Sequence, residues 1–293
     1  VSERPRAAFL ESLSAAGFAI PQFVVDPGEQ RFSETRWWAD PETPTRAFEK
    51  SWSAELAARI MTDEALTGWL GSAPAGTPCA TMAAVQARRA DLTAAGYGEI
   101  VCKAALGTAG RGMVRWRAGE GTPKGLARML GAPGEVVVEP WLDRVMDLSV
   151  QLRVEDDCVT VDGVTRFLTD ARGQYLGVAL GRVTDGQSES MRRWLMAGEG
   201  VIGALTRIGE QVGEALRQAG HRGPAGIDAL IYREGEALRL RPIVEVNPRC
   251  TMARIGLGLR RRISSRRRAV WLQLPTAKVD FEASVEVSDG LIE

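Results

Sequence analysis

Histidine is nearly missing from this chain: its 293 residues contain one, His221. That excludes a His-rich metal centre, and a Ser-His-Asp hydrolase would depend on a single position. Lysine is scarce too. Lys50, Lys103, Lys124 and Lys278 stand against a background in which almost every other base is arginine. A lysine kept in such a background raises the question whether its compact ammonium is required. Net charge is absent, since Lys+Arg and Asp+Glu both number 37. The balance gives no global reason to expect nucleic acid or an anionic membrane as the main partner. No apolar run approaches the roughly 18 residues of a membrane span. Cys79, Cys102, Cys158 and Cys250 form no C-x-x-C pair, which argues against a zinc module. Neither do they make a disulfide scaffold, and the first residues lack the apolar core of a signal peptide. A reducing cytoplasm is the expected compartment.

What is present suits a soluble globular chain, with 45% apolar and 25% charged residues and length for about two domains. Residues 6–16 read as a helix and 18–25 as a strand, followed by an irregular Trp- and Pro-containing connection over 31–48. A helix is expected over 53–61 with Ser53 as N-cap, then a linker over 71–78 and a helix over 81–95. Strands follow at 99–104, 113–117 and 135–139, with a short helix at 122–130. Further strands are expected near 147–154, 158–168 and 174–180. A helical region over 189–219 breaks near Gly198–Gly200, a hairpin covers 225–247, and a helix begins near Thr251.

Three local patterns carry chemistry. The loop Gly107-Thr108-Ala109-Gly110-Arg111-Gly112 connects a strand to another strand. Rossmann loops and P-loops instead lead into a helix. A hairpin tip rich in backbone N–H groups can close over a polyphosphate, with Arg111 adding charge and Lys103 on the strand leading in. The second pattern is Ile243-Val244-Glu245-Val246-Asn247-Pro248-Arg249. Alternation puts Ile243, Glu245 and Asn247 on one face, with the two oxygen donors roughly 7 Å apart. That spacing suits two hard-oxygen ligands for Mg²⁺, and Asp228 on the preceding strand offers a third. Pairing Asp228 with Glu245 requires a longer loop or a bulge, because the obvious turn at Glu234-Gly235-Glu236 comes slightly early; Pro242 could mark a bulge. The third pattern is a strand ending in Glu139-Pro140-Trp141-Leu142, followed by Asp147, Ser149, Gln151 and Arg153 on one face. Such a strand end can hold an adenine edge, and a domain hinge with an aromatic anchor explains it equally well.

In this order and spacing, over roughly residues 45–260, the chain resembles the ATP-grasp superfamily. The resemblance rests on Lys103, the glycine loop, the Val-Val-Val-Glu139-Pro-Trp-Leu run, Asp147-Leu-Ser-Val, Gly-Ile-Asp228 and Val-Glu245-Val-Asn247-Pro-Arg249. It implies an α+β fold in which two subdomains enclose ATP, with Mg²⁺ as the metal and Mn²⁺ as an alternative ion. Residues 1–75 would be a reduced N-terminal segment, 76–140 the small subdomain and 141–293 the large one. The resemblance also implies that Lys50 and Lys103 hold phosphate or adenine and that Gly107, Gly110, Arg111 and Gly112 form a lid. It places adenine at Glu139, Trp141 and Leu142, ribose at Asp147, and the metal at Asp228, Glu245 and Asn247. Arg249 would face an acyl-phosphate. One subgroup carries an Arg two residues before the metal Asp; here that position is Gly226, so the anion-stabilising role would fall to Arg249, Arg153 or Arg166. The implied activity is a carboxylate–amine ligase acting on small molecules, an amino acid or peptide among them. The alternatives are carboxylation, acyl phosphorylation, or nucleotide binding without turnover. A homodimer is left open. The arginines over 260–268 read as a solvated helix end, and His221 as a surface turn.

Overall fold

The computed structural model describes residue 11 and residues 43–106, 112–131, 134–196, 198, 200–264 and 267–273. The chain divides into a unit Val1–Trp37 and a unit Trp38–Glu293, and every strand of the two sheets lies in the second. The strand expected over 18–25, all but one residue of the helix over 6–16, and Gly107, Gly110 and Arg111 lie outside the described residues.

Alternating apolar residues build a small sheet. Its strands are β1 (Thr77–Cys79), β2 (Glu99–Ala104), β3 (Met113–Arg117) and β4 (Val136–Pro140), in the order β1-β4-β2-β3 and all antiparallel. Ile100, Cys102, Val136 and Val138 pack with Val85 and Leu92 of helix α2 (Met82–Ala94). Thr81 caps that helix, its hydroxyl accepting from Ala84 N at 3.2 Å. Burial also holds the Cys102 thiol up to about 12, so it stays protonated at neutral pH. By alternation Val101, Lys103, Val137 and Glu139 share the opposite face. A turn of helix, α3 (Leu126–Met129), is all that forms of the helix expected over 122–130.

A larger antiparallel sheet takes the order β10-β7-β6-β5-β8-β9. Its strands are β5 (Asp143–Val154), β6 (Val159–Thr169), β7 (Tyr175–Ala179), β8 (Gly223–Glu234), β9 (Ala237–Asn247) and β10 (Val270–Leu272). Helices α4 (Glu189–Met196) and α5 (Gly200–Gln218) cover one face, the break between them falling where expected. Leu205, Ile208, Val212 and Leu216 meet Leu148, Val150, Leu152 and Ile227 there. Gly213 lets α5 approach closely: a Cβ added to it would lie 2.3 Å from Val159 Cγ1 and 3.0 Å from Leu152 Cδ1. Gly213→Val is therefore expected to lower the unfolding free energy by about 3 kcal/mol through overpacking, measured by urea titration. Helix α6 (Met252–Arg260) packs against β6 and β7. The α+β class is thus as expected, its strands gathered into two antiparallel sheets.

Helix α1 (Lys50–Ile60) starts three residues earlier than the sequence suggests. Ser53 does not cap it; the Ser53 hydroxyl instead accepts from Val246 N at 3.0 Å, tying α1 to β9. Leu56, Ala57 and Ile60 enter the large core, while Lys50 N donates to Ala105 O at 2.8 Å, just past the end of β2. One helix thus touches both sheets. His221 corrects another expectation, since it is completely buried and its Nδ1 lies 2.7 Å from Thr43 Oγ1. Its backbone N–H bonds back to Leu216 O past Gly220 at φ +90°, which folds the ring inward at the C-terminus of α5.

Candidate functional site

The β8–β9 hairpin sets the register at which acids meet. Asp228 pairs directly with Glu245 and Gly226 with Asn247. Nearer the turn, Leu230 pairs with Arg241, so Pro242, Ile243 and Val244 together oppose Ala229. This is the irregularity foreseen at Pro242, which has no N–H to lend to a ladder. It also breaks the expected alternation. Ile243 joins Val246 in the main core, and Val244 joins the small cluster of Leu142, Leu230 and Tyr232. Only Glu245 and Asn247 keep the shared face.

Asp228 is the centre of a hydrogen-bonded cluster. Its Oδ1 accepts from Ser149 Oγ at 2.8 Å and its Oδ2 from Asn247 Nδ2 at 3.2 Å. Burial, and then the neighbouring Glu245, push its carboxyl up to about 7. Arg249 Nη2 donates to Asn247 Oδ1 at 2.8 Å, which fixes the amide's orientation. Lys50 Nζ reaches Glu245 Oε1 at 2.8 Å from the first turn of α1. Lys50 and Lys103 are both buried.

On the small sheet, Lys103 forms an ion pair with Glu139 across the β2–β4 ladder. Gly112, at φ +77°, accepts from Ala104 N at 2.8 Å and closes the described end of the β2–β3 hairpin. The chain then passes from β4 to β5. Trp141 N donates to Glu99 O at 2.9 Å, and the Arg115 guanidinium sits 4.2 Å from the Trp141 ring centroid. Leu142 is buried beside Leu230 and Tyr232. Asp147 is buried opposite Leu230, paired with Arg144 and accepting from Thr169 Oγ1 at 2.7 Å. Burial raises its carboxyl too, against the pull of Arg144.

Two arginines named from the sequence are not brought to this cluster. Arg153 lies four residues along β5 from Ser149, roughly 13 Å away, and pairs with Asp162 at 3.3 Å. Arg166 stands opposite Leu148 in the ladder and so shares the helix-covered face. Gly226 has a steric reason: a Cβ there would lie 2.6 Å from Thr251 Cγ2 and 3.1 Å from Gln151 Nε2. No side chain fits, so an Arg at that position is excluded by the packing. Ser149, Gln151, Thr251 and Arg144 were missed as site residues. The alternation of β5 had already placed Ser149 and Gln151 on the face of Asp147.

Among the described residues no three His, Cys, Asp or Glu side chains cluster as a metal site, and no helix is long and apolar enough to cross a membrane. No family model and no curated protein matches the chain. Among solved structures it is similar to the biotin carboxylase domain of 2-oxoglutarate carboxylase from Hydrogenobacter thermophilus, crystallised with MgADP and bicarbonate. That likeness has a TM-score of 0.45 and 16% identity, over 70% of this chain and 40% of the other. Rhizobium etli pyruvate carboxylase gives 0.49 and 18%, over 73% and 17%. D-alanyl-alanine synthetase A from Vibrio cholerae gives 0.43 and 14%, over 73% and 58%. The chain therefore spans less than two thirds of the length of each.

Proposed function

We propose that this chain is an ATP-grasp enzyme that binds Mg-ATP between its two sheets and activates a substrate carboxylate for joining to an amine. The observation that carries the proposal is the directly paired Asp228 and Glu245, with Asn247 on the same face and lysines reaching the acids of both sheets. Two directly paired carboxylates that share one lysine favour a cation. Asp228, Glu245 and Asn247 Oδ1 are hard oxygen donors with spare lone pairs, a set suited to Mg²⁺ or Mn²⁺. When bound, the ion would offset phosphate charge.

The chain's own residues supply the rest. Lys103 and Lys50 would exchange Glu139 and Glu245 for phosphate oxygens as the nucleotide enters, with the loop around Gly107, Gly110, Arg111 and Gly112 closing over them. Backbone groups at Glu139 and Leu142 would meet adenine beside Trp141, and Asp147 would take the ribose hydroxyls. Arg249, already oriented by Asn247, would hold the substrate carboxylate. That carboxylate attacks the γ-phosphorus, releasing ADP and leaving an acyl-phosphate. An amine then displaces phosphate and loses a proton, forming the amide. Charge neutralisation and positioning carry such chemistry, so a chain with one buried histidine can perform it.

A panel of amino acids and small peptides, assayed for ADP release, tests this reading. Release with an acid and an amine together is the expected result. Glu245→Gln should keep most of the ATP binding and lose that release. A wild type that releases no ADP with any acid in the panel would leave a nucleotide-binding protein without turnover.

A further inference from the structure

A buried chain of hydrogen bonds connects helix α6 to Asp228. Thr251 is the N-cap of α6, its Oγ1 accepting from Arg254 N at 3.3 Å. Its single hydroxyl proton goes to Gln151 Oε1 at 2.7 Å. Gln151 Nε2 donates to Ser149 Oγ at 2.8 Å, and Ser149 Oγ donates to Asp228 Oδ1 at 2.8 Å. Gln151 is 0% exposed, Ser149 1% and Thr251 7%, so water does not compete for these groups. Every proton points the same way, toward the carboxylate. With Asp228 ionised the order cannot be reversed: a carboxylate oxygen only accepts, and the helix N–H only donates. Each link therefore fixes the next, down to the orientation of the Gln151 amide. Gly226 belongs to the same arrangement, because a Cβ there would collide with Thr251 and crowd Gln151.

We infer that Gln151 and Thr251 are positioning residues of the cation site, acting through Ser149 to hold Asp228 as an oriented acceptor and to link its placement to the seating of α6. The inference rests on the proposed cation site and deepens it. Groups behind a metal ligand commonly change metal affinity by roughly 10–100-fold when removed. Gln151 and Thr251 stand two and three bonds behind Asp228, so the lower end of that range applies.

Mn²⁺ titration followed by electron paramagnetic resonance, in the presence of a non-hydrolysable ATP analogue, reads this without turnover. Gln151→Met keeps the shape and removes both hydrogen bonds; Thr251→Val removes the hydroxyl, and Thr251→Ser keeps it. Gln151→Met and Thr251→Val are expected to weaken Mn²⁺ binding about tenfold, with Thr251→Ser within about twofold of wild type. Nucleotide binding in EDTA should be the same in all four proteins, which a merely structural defect would not leave intact. Thermal melts verify folding, and should Gln151→Met fail to fold, the Thr251 pair decides. Unchanged Mn²⁺ affinity in Thr251→Val, or equal losses in Thr251→Val and Thr251→Ser, would overturn the inference while the cation site stands. A wild type that binds no Mn²⁺ would remove the cation site itself.

Discussion

Asp228→Asn should make the protein more stable and less capable at once. In the folded chain the Asp228 carboxyl is pushed up to about 7 from an ordinary value of 3.8. A carboxyl raised by folding binds its proton more tightly in the native state than in the unfolded one. Stability therefore falls as pH rises from about 4 to about 7, and the full deficit is present above that. Asn removes the charge and the deficit. Its amide keeps the acceptor for Ser149 but meets the Asn247 amide donor to donor, which returns roughly 1 kcal/mol. The expected balance is a gain of about 3 kcal/mol at pH 8 and a loss of about 1 kcal/mol near pH 4, read from urea titrations at the two values. The same change removes one of the two negative charges of the oxygen-donor set, so Mg²⁺ should strengthen nucleotide binding far less. A variant less stable than wild type at pH 8 would mean that Asp228 is held by compensation not seen in its neighbours.

Lys103→Met is expected to give the largest loss of nucleotide affinity, about 10–100-fold, because a charge-assisted bond to phosphate is worth roughly 1.5–3 kcal/mol. Lys103 is buried on the face of the small sheet it shares with Val101 and Val137, its ammonium paired with Glu139. Lys103→Arg should rescue little, since a planar guanidinium does not replace a buried, compact ammonium. Removing the lysine also strands Glu139, whose side chain is 16% exposed. The double variant Lys103→Met/Glu139→Gln should therefore recover stability without recovering affinity. Recovery of both would show that the pair serves only the fold.

These two sites were legible in the sequence for different reasons. Asp228, Glu245 and Asn247 stood out because period-two alternation and the position of Pro242 constrain a hairpin almost by arithmetic. Lys103 stood out because so few lysines occur. The errors fall where distant segments meet. Ser53 looked like a helix cap because local pattern cannot reveal that Val246, far along the chain, needs a hydrogen-bond acceptor. His221 looked exposed because its neighbours in sequence are a glycine and an arginine, while its partner Thr43 is 178 residues away. Ile243 was put on the wrong face because the bulge that allows Asp228 to meet Glu245 also shifts the phase behind it. Arg153 illustrates the limit of alternation: it lies on the right side of β5 but too far along, beside Asp162.

The most direct test of the central claim is the melting temperature of the wild-type protein in millimolar ATP, with and without Mg²⁺. A ligand at a hundredfold its Kd adds about 2.7 kcal/mol to the unfolding free energy. For a chain of this size that is a rise of roughly 4–5 °C. That rise is expected with Mg²⁺ and ATP together, and a much smaller one with either alone. Equal melting temperatures in all conditions would contradict the claim.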